Sequence, residues 1–143
     1  MTGLWVVLGV LALGAVAGVL LRARDGRVKA TRRERAEGRA LPGPVLAAID
    51  RDSPVTLVQI STTFCAPCRH ARVVLSSLAA ETDGLRHVEL DVSDRPEVAQ
   101  ALGVLRTPTT LAFSSAGDEL FRISGVPKAG VVLDAVGPRL RGA

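Results

Sequence analysis

Two cysteines separated by two residues are the side chains of this sequence best suited to redox chemistry. They lie in the segment Cys65-Ala66-Pro67-Cys68, and the chain of 143 residues contains no other cysteine. The segment follows a β-branched run and opens a helical pattern, so a thiolate there faces unpaired helix N–H groups and the positive end of the helix dipole. Both features lower a thiol pKa, and Cys65, at the more exposed position, is the expected nucleophile. Cys68, one turn further in, is placed to attack a mixed disulfide and release the reduced partner.

Three other roles for the cysteine pair stay open when only the residues are considered. A structural disulfide that closes so short a loop would contribute about 2 kcal/mol at best. A zinc site would need His70 and His87 as further ligands, and the sequence has no second pair of cysteines. Two ordinary buried cysteines would make the spacing a coincidence. The position between a strand and a helix favours the redox role, and no metal or other cofactor is expected.

The elements that must position this pair alternate along residues 44 to 143. Apolar periodicity and turn residues predict four helices and four strands. The helices are expected at 44–50, 66–81, 95–102 and 126–140, and the strands at 55–60, 87–92, 109–113 and 120–123. Strands separated by helices require parallel crossovers, whereas the last two strands read as an antiparallel hairpin. The expected fold class is α/β, with a mixed central sheet flanked by helices on both faces.

The N-terminus is an uncharged apolar run. Residues 3 to 21 would form a helix that spans, at about 1.5 Å per residue, the roughly 30 Å hydrocarbon core of a bilayer. Trp5 suits the membrane interface. A cleaved secretory signal would require basic residues before the apolar run, and none is present there. A transmembrane helix over residues 1–21 is therefore predicted. Gly14 and Gly18 form a pair of small residues that can let two such helices pack closely.

Basic residues are concentrated directly after this run. Residues 22–40 contain eight basic and three acidic side chains, whereas residues 41–143 are close to neutral. Basic flanks stay on the cytoplasmic side of a membrane span, so the domain is expected in the cytoplasm. Residues 22–43 are interpreted as a basic linker, either a solvated helical extension or a flexible tether. The excess of basic residues is confined to this segment, and the chain has few aromatic residues on which bases could stack. A nucleic-acid-binding face spread over the domain is therefore excluded.

The motifs of residues 44 to 141 resemble those of the thioredoxin family. The matching segments are FCAPCR at 64–69, GVLRTPT at 103–109 and the glycine before the last helix. The resemblance implies a thioredoxin-like fold in which Pro108 follows a cis peptide bond and packs beside Cys65. It also implies a shallow, mostly apolar docking surface for protein substrates, on which Thr107 pairs with an extended segment. That surface comprises Phe64, Ala66, Pro67, Thr107, Pro108, Gly125 and Val126.

The sequence departs from the family pattern in several places. Phe64 stands where tryptophan is usual, and Val73 replaces the proline that kinks the active-site helix. The family's early strand and part of its first helix are expected to be missing or shortened, because few residues separate Pro42 from Val55.

The most consequential departure concerns proton transfer. Gln59 occupies the position of the family's buried aspartate, and Glu89 that of the neighbouring lysine. A neutral amide is no general base, yet Cys68 must lose its proton before it can attack. Glu89, on the adjacent strand, is the hypothetical proton acceptor. The alternative interpretation is a solvent-facing glutamate in an alternating strand.

The resemblance implies a membrane-anchored thiol-disulfide oxidoreductase that reduces protein disulfides through a mixed disulfide. Its partners would be protein thiols and disulfides, including those of membrane proteins, and its dithiol would be its only redox group. Two alternatives stay open: an extracytoplasmic thiol-exchange protein, and a non-catalytic thioredoxin-like module that organises a membrane partner.

Overall fold

A computed structural model describes residues 2–24, 28–30 and 40–142. Within these ranges the chain forms five helices, α1 (Thr2–Arg24), α2 (Gly43–Ala48), α3 (Ala66–Glu81), α4 (Pro96–Ala101) and α5 (Ala129–Leu140). The same ranges contain five strands, β1 (Val28–Ala30), β2 (Val55–Ser61), β3 (Leu85–Asp91), β4 (Thr109–Ser114) and β5 (Glu119–Ser124).

The strands form one mixed sheet in the order β1-β5-β4-β2-β3. Strands β2 and β3 are parallel, whereas the other three neighbouring pairs are antiparallel. The predicted α/β class with a mixed sheet is therefore confirmed. Strand β2 lies between β4 and β3. The segment that follows β2 therefore begins between two neighbouring strands, at the carboxyl end of β2.

The core is divided by the sheet into two apolar clusters. Residues of β2 are all buried and alternate between the clusters, so Leu57 packs on one face and Val58 on the other. Helices α3 and α5 cover the first face through side chains such as Leu75 and Val132, and α2 and α4 cover the second. Full burial of one such aliphatic side chain stabilises the fold by about 1.5–3 kcal/mol. Burial of every residue is typical of a strand that is covered on both faces.

Helix α3 begins and ends where the sequence predicts. Cys65 is its N-cap residue, and a proline in the first turn loses no hydrogen bond there, because that N–H would lack an intrahelical partner. Four buried residues at helical spacing, Cys68, Ala71, Leu75 and Leu78, face the sheet. The chain then turns at Gly84, whose φ of 78° favours glycine, and enters β3.

The segment after α1 differs from the prediction. Residues 28–30 were expected in a helical extension or tether, but they form edge strand β1, in which Val28 pairs with Ile123 of β5. A strand of three residues is too short to produce an alternating pattern, and its pairing depends on the edge offered by β5. Helix α1 does extend through Arg24, while 25–27 and 31–39 lie outside the described residues. The domain boundary at residue 44 stays a prediction.

Helix α1 is a candidate membrane span. The stretch Gly3–Leu21 has a mean hydropathy of 2.6, and none of it is buried against the rest of the chain. Its length and composition suit a bilayer, although a signal sequence has the same properties. A Cβ added at Gly14 or Gly18 would meet no atom within 4 Å, so pairing of two such helices stays a prediction.

Candidate active site

The two cysteines form a disulfide at the N-terminus of α3. Their Cα atoms are 5.2 Å apart, and the backbone N–H of Cys68 donates to Sγ of Cys65 at 3.2 Å. Cys65 is 9% exposed and Cys68 is 2% exposed, so Cys65 is the more accessible of the two, as predicted. A backbone donor already aimed at Sγ of Cys65 would stabilise a thiolate there, as would the helix dipole.

The segment before β4 carries the cis peptide bond implied by the resemblance, between Thr107 and Pro108. One contact joins this segment to the active-site loop, and a second joins it to the turn after β5. The hydroxyl of Thr107 lies 3.3 Å from that of Thr62, three residues before Cys65, and the carbonyl of Pro108 accepts a hydrogen bond from Gly125 at 2.8 Å. These contacts join the cis-proline segment to both the active-site loop and the turn after β5.

The predicted docking residues differ in how far they are exposed. Phe64 is 98% exposed, and Ala66 and Pro67 are exposed beside it. Three others, Thr107, Gly125 and Val126, are half-buried, whereas Pro108 is buried. Leu105 is not among the predicted docking residues, yet it is 97% exposed on the segment leading to Pro108. A leucine between a turn glycine and a proline, outside any strand pattern, was the available signal.

Gln59 lies buried behind Cys68. It is fully buried on β2, and its Nε2 donates to the carbonyl oxygen of Cys68 at 3.0 Å. The same nitrogen contacts Oε1 of Glu89 at 3.4 Å, because Gln59 and Glu89 are register partners across β2 and β3. The structure therefore brings the two departures from the family pattern into one hydrogen-bonded pair.

Glu89 faces α3. Its side chain is 19% exposed and forms an ion pair with Arg72 of that helix, which raises the pKa of the Arg72 guanidinium. Glu89 and both cysteines line one cleft of about 330 Å³. Water in such a cleft would connect the carboxylate with the thiol of Cys68. Glu89 is thus partly shielded from solvent, and the part of this residue in proton transfer stays a proposal.

His87 completes the polar group under α3. Its Nε2 lies 3.2 Å from Oε1 of Gln59, and its Nδ1 lies 3.2 Å from Oγ of Ser76. Burial lowers the pKa of His87, with Glu89 opposing the shift and Arg72 adding to it. Both ring nitrogens of His87 thus contact polar side chains. Among the described residues, no three His, Cys, Asp or Glu side chains are grouped to hold a metal ion.

A second polar cluster fixes the loop that leads into Cys65. Asp91, at the end of β3, accepts hydrogen bonds from the backbone N–H of Ser93 at 2.8 Å and from the hydroxyl of Thr63 at 3.3 Å. The side chain of Ser93 also accepts from the N–H of Thr63 at 2.9 Å. The bonds from Ser93 are the main reason why the pKa of Asp91 is lowered.

The site and its fold match known proteins. The family model described as Thioredoxin matches residues 46–136. The thioredoxin of Staphylococcus saprophyticus subsp. saprophyticus is 34% identical over 74 residues, covering 51% of this chain and 70% of that protein. A chloroplastic thioredoxin of Oryza sativa subsp. japonica is 35% identical over 80 residues, covering 54% of this chain and 45% of the rice protein, which is less than half of its length.

A solved structure supports the same fold. A thioredoxin variant from Halobacterium salinarum NRC-1 superposes with a TM-score of 0.60 at 23% sequence identity, covering 71% of this chain and 88% of that chain. The predicted thioredoxin-like fold is confirmed by this likeness.

Proposed function

Because the chain belongs to the thioredoxin family and carries a paired CXXC dithiol, its domain is that of a thiol-disulfide oxidoreductase, and we propose that it acts as a membrane-anchored reductant of protein disulfides. The observation that carries this proposal is the Cys65–Cys68 disulfide at the start of α3, with a backbone N–H directed at Sγ of Cys65. That geometry favours one accessible thiolate and one sheltered partner thiol.

The reaction consists of two exchanges. In the reduced protein, the thiolate of Cys65 attacks one sulfur of a substrate disulfide, forms a mixed disulfide and releases the first substrate thiolate. The thiolate of Cys68 then attacks the sulfur of Cys65, which forms the internal disulfide and releases the second substrate thiolate. Two electrons pass from the dithiol to the substrate, and a cellular dithiol donor must reduce the internal disulfide again.

Glu89 is proposed as the acceptor of the Cys68 proton in the second exchange. The proposal is supported by the shared cleft and by the contact of Gln59 with both the Cys68 carbonyl and Glu89. We expect Glu89→Gln to slow release of the mixed disulfide and to change the pH dependence of that step, while formation of the mixed disulfide stays the same. Glu81→Gln, at the other end of α3, is the matched control. An unchanged pH profile in Glu89→Gln removes Glu89 from the mechanism.

Trapping of the intermediate tests the proposed reaction. Cys68→Ser should retain a mixed disulfide between Cys65 and a cellular partner, seen as a reducible adduct on a non-reducing gel. Cys65→Ser and the double serine variant should give no adduct. If the double variant complemented a loss-of-function strain as well as the wild type, a non-catalytic role in organising a membrane partner would replace the reductase proposal.

The membrane anchor and its orientation are proposed from α1 and the segment that follows it. The exposed apolar helix is long enough for a bilayer, and the excess of basic side chains in residues 22–40 favours a cytoplasmic domain. Tethering would raise the effective concentration of the dithiol near membrane-bound substrates.

Thiol labelling tests the side of the membrane. In intact cells a membrane-impermeant maleimide should leave Cys65 unlabelled, and lysis should expose it. Labelling from outside would make the protein an extracytoplasmic thiol-exchange protein instead. Mass spectrometry of the protein in carbonate-washed membranes tests the anchor. An anchored protein should stay in these membranes at its full mass, whereas a cleaved signal would leave a protein that lacks residues 1–21.

A further inference from the structure

Four side chains between α3 and the sheet form a continuous series of hydrogen bonds. Ser76 contacts Nδ1 of His87, Nε2 of His87 contacts Oε1 of Gln59, and Nε2 of Gln59 contacts both Cys68 and Glu89. The contacts join α3, β3 and β2, and every bond length lies between 3.0 and 3.4 Å. The reaction described above gives His87 and Ser76 no part.

The acceptors at one end of the series set the direction of every bond. The carbonyl of Cys68 and the carboxylate of Glu89 can only accept, so the NH2 group of Gln59 must face them. Its Oε1 is then directed at His87, whose Nε2 must carry a proton to donate. The Nδ1 atom of the neutral ring is left as an acceptor for the hydroxyl of Ser76.

We propose that His87 is a positioning residue for the resolving step, because it holds the Gln59 amide with its N–H groups directed at Cys68 and Glu89. This inference rests on the proposed function, in which Glu89 takes the proton of Cys68. Without His87 the buried oxygen of Gln59 loses its donor, so one of the three contacts that hold the amide in place is gone and the amide can shift. An amide that shifts weakens the hydrogen bonds from its Nε2 to the Cys68 carbonyl and to Glu89, so the carboxylate is held less firmly in its place in the cleft.

The charges around His87 are compatible with a neutral ring. Glu89 approaches from its own strand and Arg72 from α3, and on β2 the ring contacts the neutral amide of Gln59. A protonated ring would keep both hydrogen bonds, because Nδ1–H can donate to the hydroxyl of Ser76. His87 can therefore contact the Gln59 amide in either protonation state.

The two exchanges can be measured separately on the full-length reduced protein in detergent, with the aromatic disulfide dithiobis-nitrobenzoate as probe. Attack by Cys65 releases one coloured thiolate, and attack by Cys68 releases the second, so absorbance rises in two phases. We expect His87→Leu to slow the second phase about fivefold, as loss of one net hydrogen bond predicts, and to leave the first unchanged. His87→Gln, which supplies an amide donor and an acceptor, should restore the second phase.

Combination with Glu89→Gln separates positioning from a structural role. If His87 acts through Glu89, His87→Leu should have no further effect on the second phase once residue 89 is an amide. Equal slowing of both phases in His87→Leu, additive effects in the double variant, or a second phase as fast as that of the wild type would each overturn the inference. Ser76→Ala is the milder variant should His87→Leu fold poorly, and it should slow the second phase alone. Absence of the first phase in Cys68→Ser would instead refute the proposed function itself.

Discussion

The exposed phenyl ring beside the disulfide offers a sharp test of the docking surface. Phe64 is 98% exposed, so its ring adds almost nothing to the stability of the free protein. Full burial of such a side chain is worth about 1.5–3 kcal/mol. A substrate lying across the active site covers one face of the ring, which amounts to roughly 1 kcal/mol, or about fivefold in kcat/KM.

We therefore expect Phe64→Ala to lower kcat/KM for a disulfide-containing protein substrate about fivefold. The free energy of unfolding should change by less than about 0.5 kcal/mol. Stopped-flow reduction of the protein substrate and urea unfolding of the same preparation measure the two quantities. Val73→Ala is the matched control, because Val73 is 65% exposed on α3 but lies outside the predicted docking surface.

A small aromatic disulfide provides the second control, since it is too small to cover the ring while it reacts at Cys65. Its rate should be the same in Phe64→Ala and wild type. An equal loss of rate with both substrates would mean that the substitution disturbs Cys65 itself. An unchanged kcat/KM for the protein substrate would refute the reasoning that Phe64 is covered in the complex.

Three further predictions concern stability. The hydroxyl of Thr110 is buried and has no hydrogen-bond partner among the described residues, so Thr110→Val should raise the free energy of unfolding by about 1 kcal/mol in urea titrations. Gly84 and Gly103 both have positive φ, but a Cβ at Gly84 would lie 3.2 Å from a neighbouring proline ring, whereas none of the described atoms lies within 4 Å at Gly103. Gly84→Ala should therefore lower the melting temperature more than Gly103→Ala. Folding lowers the pKa of His87, so the unfolded chain takes up the proton more readily. The stability of the folded protein should therefore fall as the pH drops below about 6.5. In calorimetry, His87→Gln should show a smaller fall over the same pH range.

The central elements could be predicted because their signals are local. The β-branched run of β2 and the helical spacing of α3 place both elements correctly, and the cysteine at the N-cap marks where α3 begins. Strand β1 could not be predicted in the same way. Its three residues are held by pairing with β5, more than 90 residues further along the chain, and such a contact leaves no periodic pattern in a short segment.

Within the site, too, the features with local signals could be predicted from the sequence, and those that depend on the alignment of strands could not. The spacing of Cys65 and Cys68 indicates redox chemistry without any tertiary information, and the resemblance implied the cis bond that precedes Pro108. The contact between Gln59 and His87 depends on how β2 and β3 are aligned, since the two residues are offset along the parallel strands. From the sequence, His87 is therefore considered only as a conditional ligand of the disfavoured zinc site.

The arrangement of Gln59 and Glu89 suggests why the acidic group lies one strand away from the family's usual position. A carboxylate at position 59 would be fully buried, and removal of a charge from water is costly unless it is paired. Glu89 keeps contact with the cleft and with Arg72, so its charge remains partly solvated and neutralised. The neutral amide at position 59 fills the buried place and links the carboxylate to Cys68. In the proposed mechanism the chain thus has a proton acceptor for Cys68 without burying an unpaired charge.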